Sequence, residues 1–142
     1  MPKVATFMYC ERAEQDQNGK IQISNPLLAM IPLYVPGTFS FSVVFSVTGI
    51  TIDQDNSIRI LFKGPNESEA PLVDTGDALI PKGALDTPID TRDVPIEFKG
   101  MMFNLDFRNI NLKYEGIYTS IVYINGDLTG EFPIYVKAGE PQ

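Results

Sequence analysis

Asn125-Gly126 constrains this chain more than any other two residues in it. A type I′ turn needs positive φ at both central positions, which Asn and Gly accept readily, and its twist matches that of two antiparallel strands. The flanks agree: Ile117, Tyr118, Thr119, Ile121, Val122, Tyr123 and Ile124 precede the turn, and Phe132, Ile134, Tyr135 and Val136 follow it. These are β-branched or aromatic residues, the types that fit a pleated, half-buried surface. Residues 114–136 therefore predict a β-hairpin.

Just upstream, Gly116-x-Tyr118 stands at the start of the first hairpin strand. Many antiparallel sandwiches place a corner tyrosine there, with its ring in the core and its hydroxyl bonded back to nearby backbone. Gly116 and Tyr118 are thus predicted as structural corner residues, and the hairpin as the last two strands of an immunoglobulin-like sandwich. With Tyr118 inward, Ser120, Val122 and Ile124 share its face. The opposite face carries Ile117, Thr119, Ile121 and Tyr123, which is apolar for a surface in water. Either a neighbouring segment covers it or a second chain does.

Period-two alternation recurs along the chain. Phe39, Phe41, Val43, Phe45 and Val47 alternate with Thr38, Ser40, Ser42 and Ser46, and only Val44 breaks the pattern. Ile58, Ile60 and Phe62 form the inward set of another strand, and Met101, Phe103, Leu105 and Phe107 that of a third. Residues 4–10 read as the first strand and 21–23 as a short one, with Asn18-Gly19 as a turn signal between them. Without a repeat, a heptad or an amphipathic helix, the prediction is an all-β, immunoglobulin-like antiparallel β-sandwich of seven to nine strands. It occupies residues 1–142 as a single domain, long enough to bury a core without metal or disulfide.

Two segments resist this pattern. Residues 25–37 are apolar but hold Pro26, Pro32 and Pro36, which bar them from a central strand or a long helix. One helical turn is expected at 27–30. The segment either crosses the end of the sandwich with its apolar side inward, or exposes Leu27, Leu28, Ile31 and Tyr34 as a lip that grips a partner. Residues 64–95 contain five of the eleven prolines and seven acidic residues against only Lys82 and Arg92. Short edge strands are expected there near 71–73, 78–80 and 94–98, with proline and charge guarding the edge. The other reading of this segment is a binding loop on a rigid scaffold.

Composition narrows the chemistry. The formal net charge of −7 opposes approach to nucleic-acid phosphates. No apolar run is long enough for a signal peptide or a membrane span, which leads to the expectation of a cytoplasmic protein. The chain has no histidine, so Cys/His and Ser/His/Asp arrangements are excluded. Cys10, the single cysteine, is expected to be a buried hydrophobe. Asp53-x-Asp55-x-Ser57 begins like an oxygen-ligand loop but lacks the Gly and Glu of an EF-hand. An ordinary polar turn is favoured there, with a weak calcium site including Asp74 or Asp77 as the alternative. Glu97, Asp106, Glu115 and Glu131 fall at outward or turn positions, so no pair is marked for acid–base work. No cofactor, metal or catalytic residue is predicted. Tyr34, Tyr123 and Tyr135 are candidates for contact with sugar or protein.

Phe7-x-x-Cys10-Glu11, Gly19-Lys20, the strand opening at 36–47, and Glu115-Gly116-x-Tyr118 through Asn125-Gly126 to Pro133-Ile134-x-Val136 span nearly the whole chain. In these the sequence resembles a family of short, single-domain bacterial and phage-associated proteins with an immunoglobulin-like sandwich. The resemblance implies a fold and no assigned activity. The function expected is a non-enzymatic protein-interaction or assembly module, self-associating or meeting another protein through Ile117, Ile121 and Tyr123 or through the lip. The alternatives are a phage accessory protein or inhibitor of a host factor, and a carbohydrate- or calcium-binding module.

Overall fold

Ten β-strands and no helix make up residues 2–50, 54–81, 95 and 100–139, which the computed structural model describes. The strands are β1 (Lys3–Gln15), β2 (Ile21–Leu27), β3 (Ala29–Met30), β4 (Gly37–Thr48), β5 (Asn56–Lys63), β6 (Val73–Asp74), β7 (Ala78–Ile80), β8 (Gly100–Leu112), β9 (Gly116–Ile124) and β10 (Asp127–Val136). Seven have seven residues or more, among them β2, expected as a short strand at 21–23 and extending to Leu27. The other three have two or three residues each, too short for periodicity to reveal.

The first sheet runs β2-β1-β4-β8, and the second β3-β10-β9-β5-β6, with β7 also on β5. Every pairing is antiparallel except β3 with β10. The order β1-β4-β8 corresponds to strands A, B and E of an immunoglobulin fold, and β10-β9-β5 to G, F and C, with β6 and β7 in the C′ position. The two faces meet over the residues whose alternation pointed inward. Phe41, Val43, Phe45 and Val47 of β4 pack against Ile58, Ile60 and Phe62 of β5 and Tyr118, Val122 and Ile124 of β9. Phe41 is the hub, its ring centre 5.2 Å from that of Phe62 and 5.1 Å from that of Phe107.

The turn at 125–126 has φ of 53° at Asn125 and 83° at Gly126, as a type I′ turn requires. Edge strands appear close to two of the expected places, at Val73–Asp74 and Ala78–Ile80. The one expected at 94–98 lies outside the described residues apart from Pro95.

Residues 27–30 do not form the expected helical turn. Leu27 ends β2, and Ala29 and Met30 pair in parallel with Tyr135 and Val136 of β10. The hydrogen-bonding continues as the Lys137 N–H donates to the Met30 carbonyl and the Gly139 N–H to the Pro32 carbonyl. A single turn of helix pays the cost of nucleation for very few bonds, whereas an existing strand edge offers bonds without it. Met30 thereby enters the core fully buried.

The first hairpin folds back on its own sheet. Pairing of β1 with β4 ends at Cys10 with Ser42, and a straight β1 would carry Ala13 toward Phe39. Instead the Ala13 carbonyl accepts a bond from the Asn104 side chain at 3.5 Å, and Asn104 lies beside Val44. The arm formed by the end of β1 and the start of β2 thus lies over the outer face of the first sheet. It buries Cys10, Ala13 and Val44 in a second small cluster with Ile21 at its margin. Val44, the residue that broke the alternation, is apolar because it is covered.

Candidate interaction surface

The tyrosine corner sets the position of β9. The Tyr118 hydroxyl donates to the Tyr114 carbonyl at 2.8 Å and accepts from the Tyr114 N–H at 3.2 Å. Tyr114 in turn donates its own hydroxyl to Glu69 at 2.7 Å, which ties the loop after β5 to the corner. Burial pushes the Tyr118 hydroxyl above its ordinary pKa, and the bond to the Glu69 carboxylate raises that of Tyr114. The hollow between them, lined by Gly64, Leu72 and Tyr118 among others, has a volume of about 10 Å³, room for at most one water.

With Tyr118 turned inward, Ile117 and Thr119 must face outward. Ile117 pairs with Tyr135 of β10, and the two are 57% and 52% exposed on the outer face of the second sheet. On one side of them, Gly64, Pro65 and Glu67 complete an open groove with Thr119. Gly116 holds φ at 133°, a backbone conformation that residues with a side chain rarely adopt, and it lies against the Pro65 ring. On the other side, Tyr135 flanks Ala29, and the segment around β3 exposes Leu28 at 99%, Ile31 at 61%, and Leu33 and Tyr34 at 58% each. Several large apolar side chains at one sheet edge form the kind of patch that marks a contact surface.

The candidate residues divide accordingly. Leu28, Ile31, Tyr34 and Ile117 are exposed, and of these Ile117 pairs directly with Tyr135, while Tyr123 is half-buried between Arg59 of β5 and Leu128 of β10. Ile121 departs from expectation: it is 8% exposed, flanked on the central strand by Leu61 and Glu131. Leu27 is also partly buried and packs against the core rather than joining the lip. Leu33 was not singled out from sequence, and neither was the pairing of Tyr135 with Ile117. The parity of β10, with Ile134 inward, carried the signal for Tyr135.

The acids are held in place by neighbours. Asp74 receives two bonds from Arg59, at 2.9 and 2.6 Å, and one from the Gly76 N–H at 2.9 Å. These bonds hold its carboxyl down at a pKa of about 2 and occupy the oxygens a calcium ion would need. Asp53, the first residue of that motif, lies outside the described residues, as does Glu97. Asp106 accepts from the Ser42 hydroxyl and lies 3.7 Å from Arg108. Glu115 accepts from the Ala138 N–H at 2.8 Å, and Glu131 stands on the outer face opposite Ile121. Among the described residues no three His, Cys, Asp or Glu side chains converge as a metal site would need, and no helix is long and apolar enough to cross a membrane.

The chain is similar in structure to an immunoglobulin-like protein from Pseudomonas aeruginosa, known from a crystal structure. The identity is 10%, the match covers 96% of this chain and 97% of that chain, and the TM-score is 0.43. No curated protein matches the sequence. A family model matches residues 5–137, nearly the whole of the sandwich, and on that match the chain belongs to the family of unknown function DUF6941.

Proposed function

We propose that this protein is a non-enzymatic interaction module, a rigid β-sandwich that meets a protein partner through the outer face of its second sheet at the edge marked by β3. The observation that carries this reading is the exposed cross-strand pair Ile117 and Tyr135, with β3 on the other side of Tyr135 and the exposed Leu28 and Ile31 flanking that short strand. Tyrosine is a residue that anchors interfaces, and covering a half-exposed aliphatic side chain such as Ile117 gains about half of the 1.5–3 kcal/mol that burial from full exposure brings. The outer face of the first sheet, by contrast, is already partly covered by the arm of the first hairpin.

Affinity capture from the native cells with the wild-type chain and an Ile117→Asp/Tyr135→Asp variant tests this. The two new carboxylates face each other across the strands, so circular dichroism first confirms that the variant is folded, and Ile117→Lys/Tyr135→Asp, which sets opposite charges there, serves as a second variant. The proposal predicts one or more proteins retained by the wild type and lost from the variant. An identical set retained by both contradicts it.

A further inference from the structure

We infer that Asn18 is a self-modifying site, where the backbone nitrogen of Gly19 turns the side-chain amide into an isoaspartate linkage and the altered turn loosens the arm over Cys10. The chain holds two Asn-Gly pairs, at 18–19 and 125–126, and the fold treats them oppositely.

Asparagine is thermolabile because the following backbone nitrogen attacks its side-chain carbon, and a following glycine leaves that nitrogen unshielded. At Asn125 the fold withholds the reaction. The side-chain oxygen accepts from the Ser57 N–H at 2.8 Å, and the amide group donates at 2.8 Å to Asn56, itself 4% exposed. The Cγ of Asn125 is thereby held against β5, and both bonds must break before it reaches the Gly126 nitrogen.

Asn18 is in the opposite state. It stands exposed at the tip of the hairpin between β1 and β2, and among the described residues its side chain has no hydrogen-bond partner. Gly19 is exposed too, with empty space to 4 Å where a Cβ would stand. One restraint acts on the nucleophile, the bond from the Gly19 N–H to the Asp16 carbonyl at 3.0 Å. It lies in an exposed turn, where fraying releases it.

The Gly19 nitrogen adds to the Asn18 Cγ, the Cγ–Nδ2 bond breaks, and ammonia leaves with the Gly19 amide proton, closing a succinimide. One water then opens the ring. Where it cleaves the bond between the Asn18 carbonyl carbon and the Gly19 nitrogen, the chain runs on through Cγ and a free α-carboxylate remains. The turn thus gains one methylene in its backbone and one negative charge. Its present bonds leave no slack for either: the Asp16 carboxylate accepts from the N–H groups of Asn18 at 2.8 Å and Lys20 at 2.9 Å, and the Asp16 N–H donates to the Lys20 carbonyl at 2.8 Å. Lengthening the chain between 18 and 19 displaces Lys20 from Asp16. This turn closes the arm at the Gln15 and Ile21 pair, and Ala13 and Ile21 of that arm pack with Cys10 and Val44.

The test is incubation of the full chain in warm, mildly alkaline buffer, native and in urea, followed by peptide mapping with mass spectrometry and enzymatic detection of isoaspartate. In the native protein Asn18 is expected to convert at least about tenfold faster than Asn125, a difference of about 1.4 kcal/mol that the two side-chain bonds of Asn125 supply. In urea both convert, at rates that approach each other. The isoaspartate form, separated by its added charge, is expected to react at Cys10 with a disulfide reagent about fivefold faster than fresh protein, the effect of losing one hydrogen bond in the turn. Asn18→Gln, whose longer side chain closes a ring far less readily, keeps the fresh rate at Cys10 through the same incubation. Native Asn125 converting as fast as Asn18 overturns the assignment, as does a native Asn18 that stays intact while the unfolded chain converts. An isoaspartate form no more reactive at Cys10 than fresh protein overturns the effect on the arm.

Discussion

The Tyr9 hydroxyl lies 2.6 Å from the Phe132 carbonyl and 2.6 Å from the Ser120 hydroxyl, so a residue of the first sheet is hydrogen-bonded to two strands of the second through the middle of the core. A carbonyl can only accept, so the single tyrosine proton goes to Phe132 and the serine hydroxyl donates to the Tyr9 oxygen. Phe7, two residues earlier, stacks flat on the Phe132 ring at 4.3 Å. The two layers are thus held in register by one polar contact and one aromatic contact at adjacent inward positions of β1.

Tyr9→Phe keeps the ring and removes the oxygen, leaving the buried Ser120 hydroxyl and the Phe132 carbonyl without this partner. The expected loss is about 1–3 kcal/mol in urea unfolding, with an unchanged m-value.

The same hydroxyl makes stability depend on alkaline pH. Burial pushes its pKa up from 10.0 to about 12. The native state holds this proton more tightly than the unfolded chain, so the stabilisation is complete below pH 10 and is lost as pH rises toward 12. The difference of about two pH units corresponds to roughly 2–3 kcal/mol. Denaturation midpoints of wild type and Tyr9→Phe measured between pH 9 and 12 should converge as the wild type loses this increment.

Asn125 does more than turn the chain. Its backbone N–H donates to the Ser57 carbonyl, its side-chain oxygen accepts from the Ser57 N–H at 2.8 Å, and its amide group donates to buried Asn56 at 2.8 Å. Asn125→Gly keeps the positive φ and deletes the side-chain bonds, separating the two roles. The expected cost is about 1–2 kcal/mol by chemical denaturation, with the hairpin retained in the spectrum of the folded state. A neutral result would assign the asparagine to turn geometry alone.

Asp74 reports on β6 at the sheet edge. Its carboxyl is held down at a pKa of about 2 by Arg59 and by the Gly76 N–H. Because this pKa lies below that of the unfolded chain, its contribution is present above pH 4 and is lost as pH falls toward 2. An NMR titration of the Asp74 carboxyl carbon should show a midpoint near 2 in the wild type and a higher one in Arg59→Gln.

Cys10 reports on the folded-back arm. The thiol is fully buried beneath it, and burial together with the Asp106 carboxylate raises its pKa above the ordinary value. The thiolate is the reactive form, so Cys10 should resist a disulfide reagent in the native protein and react at once when unfolded. Ala13→Asp forces a charge into the covered cluster and should speed the native reaction by loosening the arm.

The parts of this fold legible in the sequence were those fixed by local chemistry. Asn125-Gly126 needed positive φ, Gly116-x-Tyr118 needed a corner, and alternation over ten residues of β4 needed one dry face. The parts that were not legible depend on contacts distant in sequence. Nothing at Ala29 and Met30 signals that they add a parallel strand to β10, because two residues carry no period. Val44 alone hinted that the outer face of the first sheet is covered, yet its cover comes from Ala13 and Ile21 on an arm that the polar run at 11–20 disguised. The surface suffered in the same way. Ile117 and Ile121 have identical parity and chemistry, and only the neighbours supplied by β5 and β10 decide that one is open and the other closed.

The central claim is that contact is made on the β3 edge of the second sheet's outer face. Its most direct test is an amide NMR map of the uniformly labelled chain, dilute in buffer and then in extract of its native cells. The account predicts that signals of Ile31, Ile117, Thr119 and Tyr135 broaden or shift first, while those of Arg12, Glu14 and Met102 on the first-sheet side stay unchanged. Perturbation centred on Arg12, Glu14 and Met102, with Ile117 and Tyr135 unaffected, would contradict it.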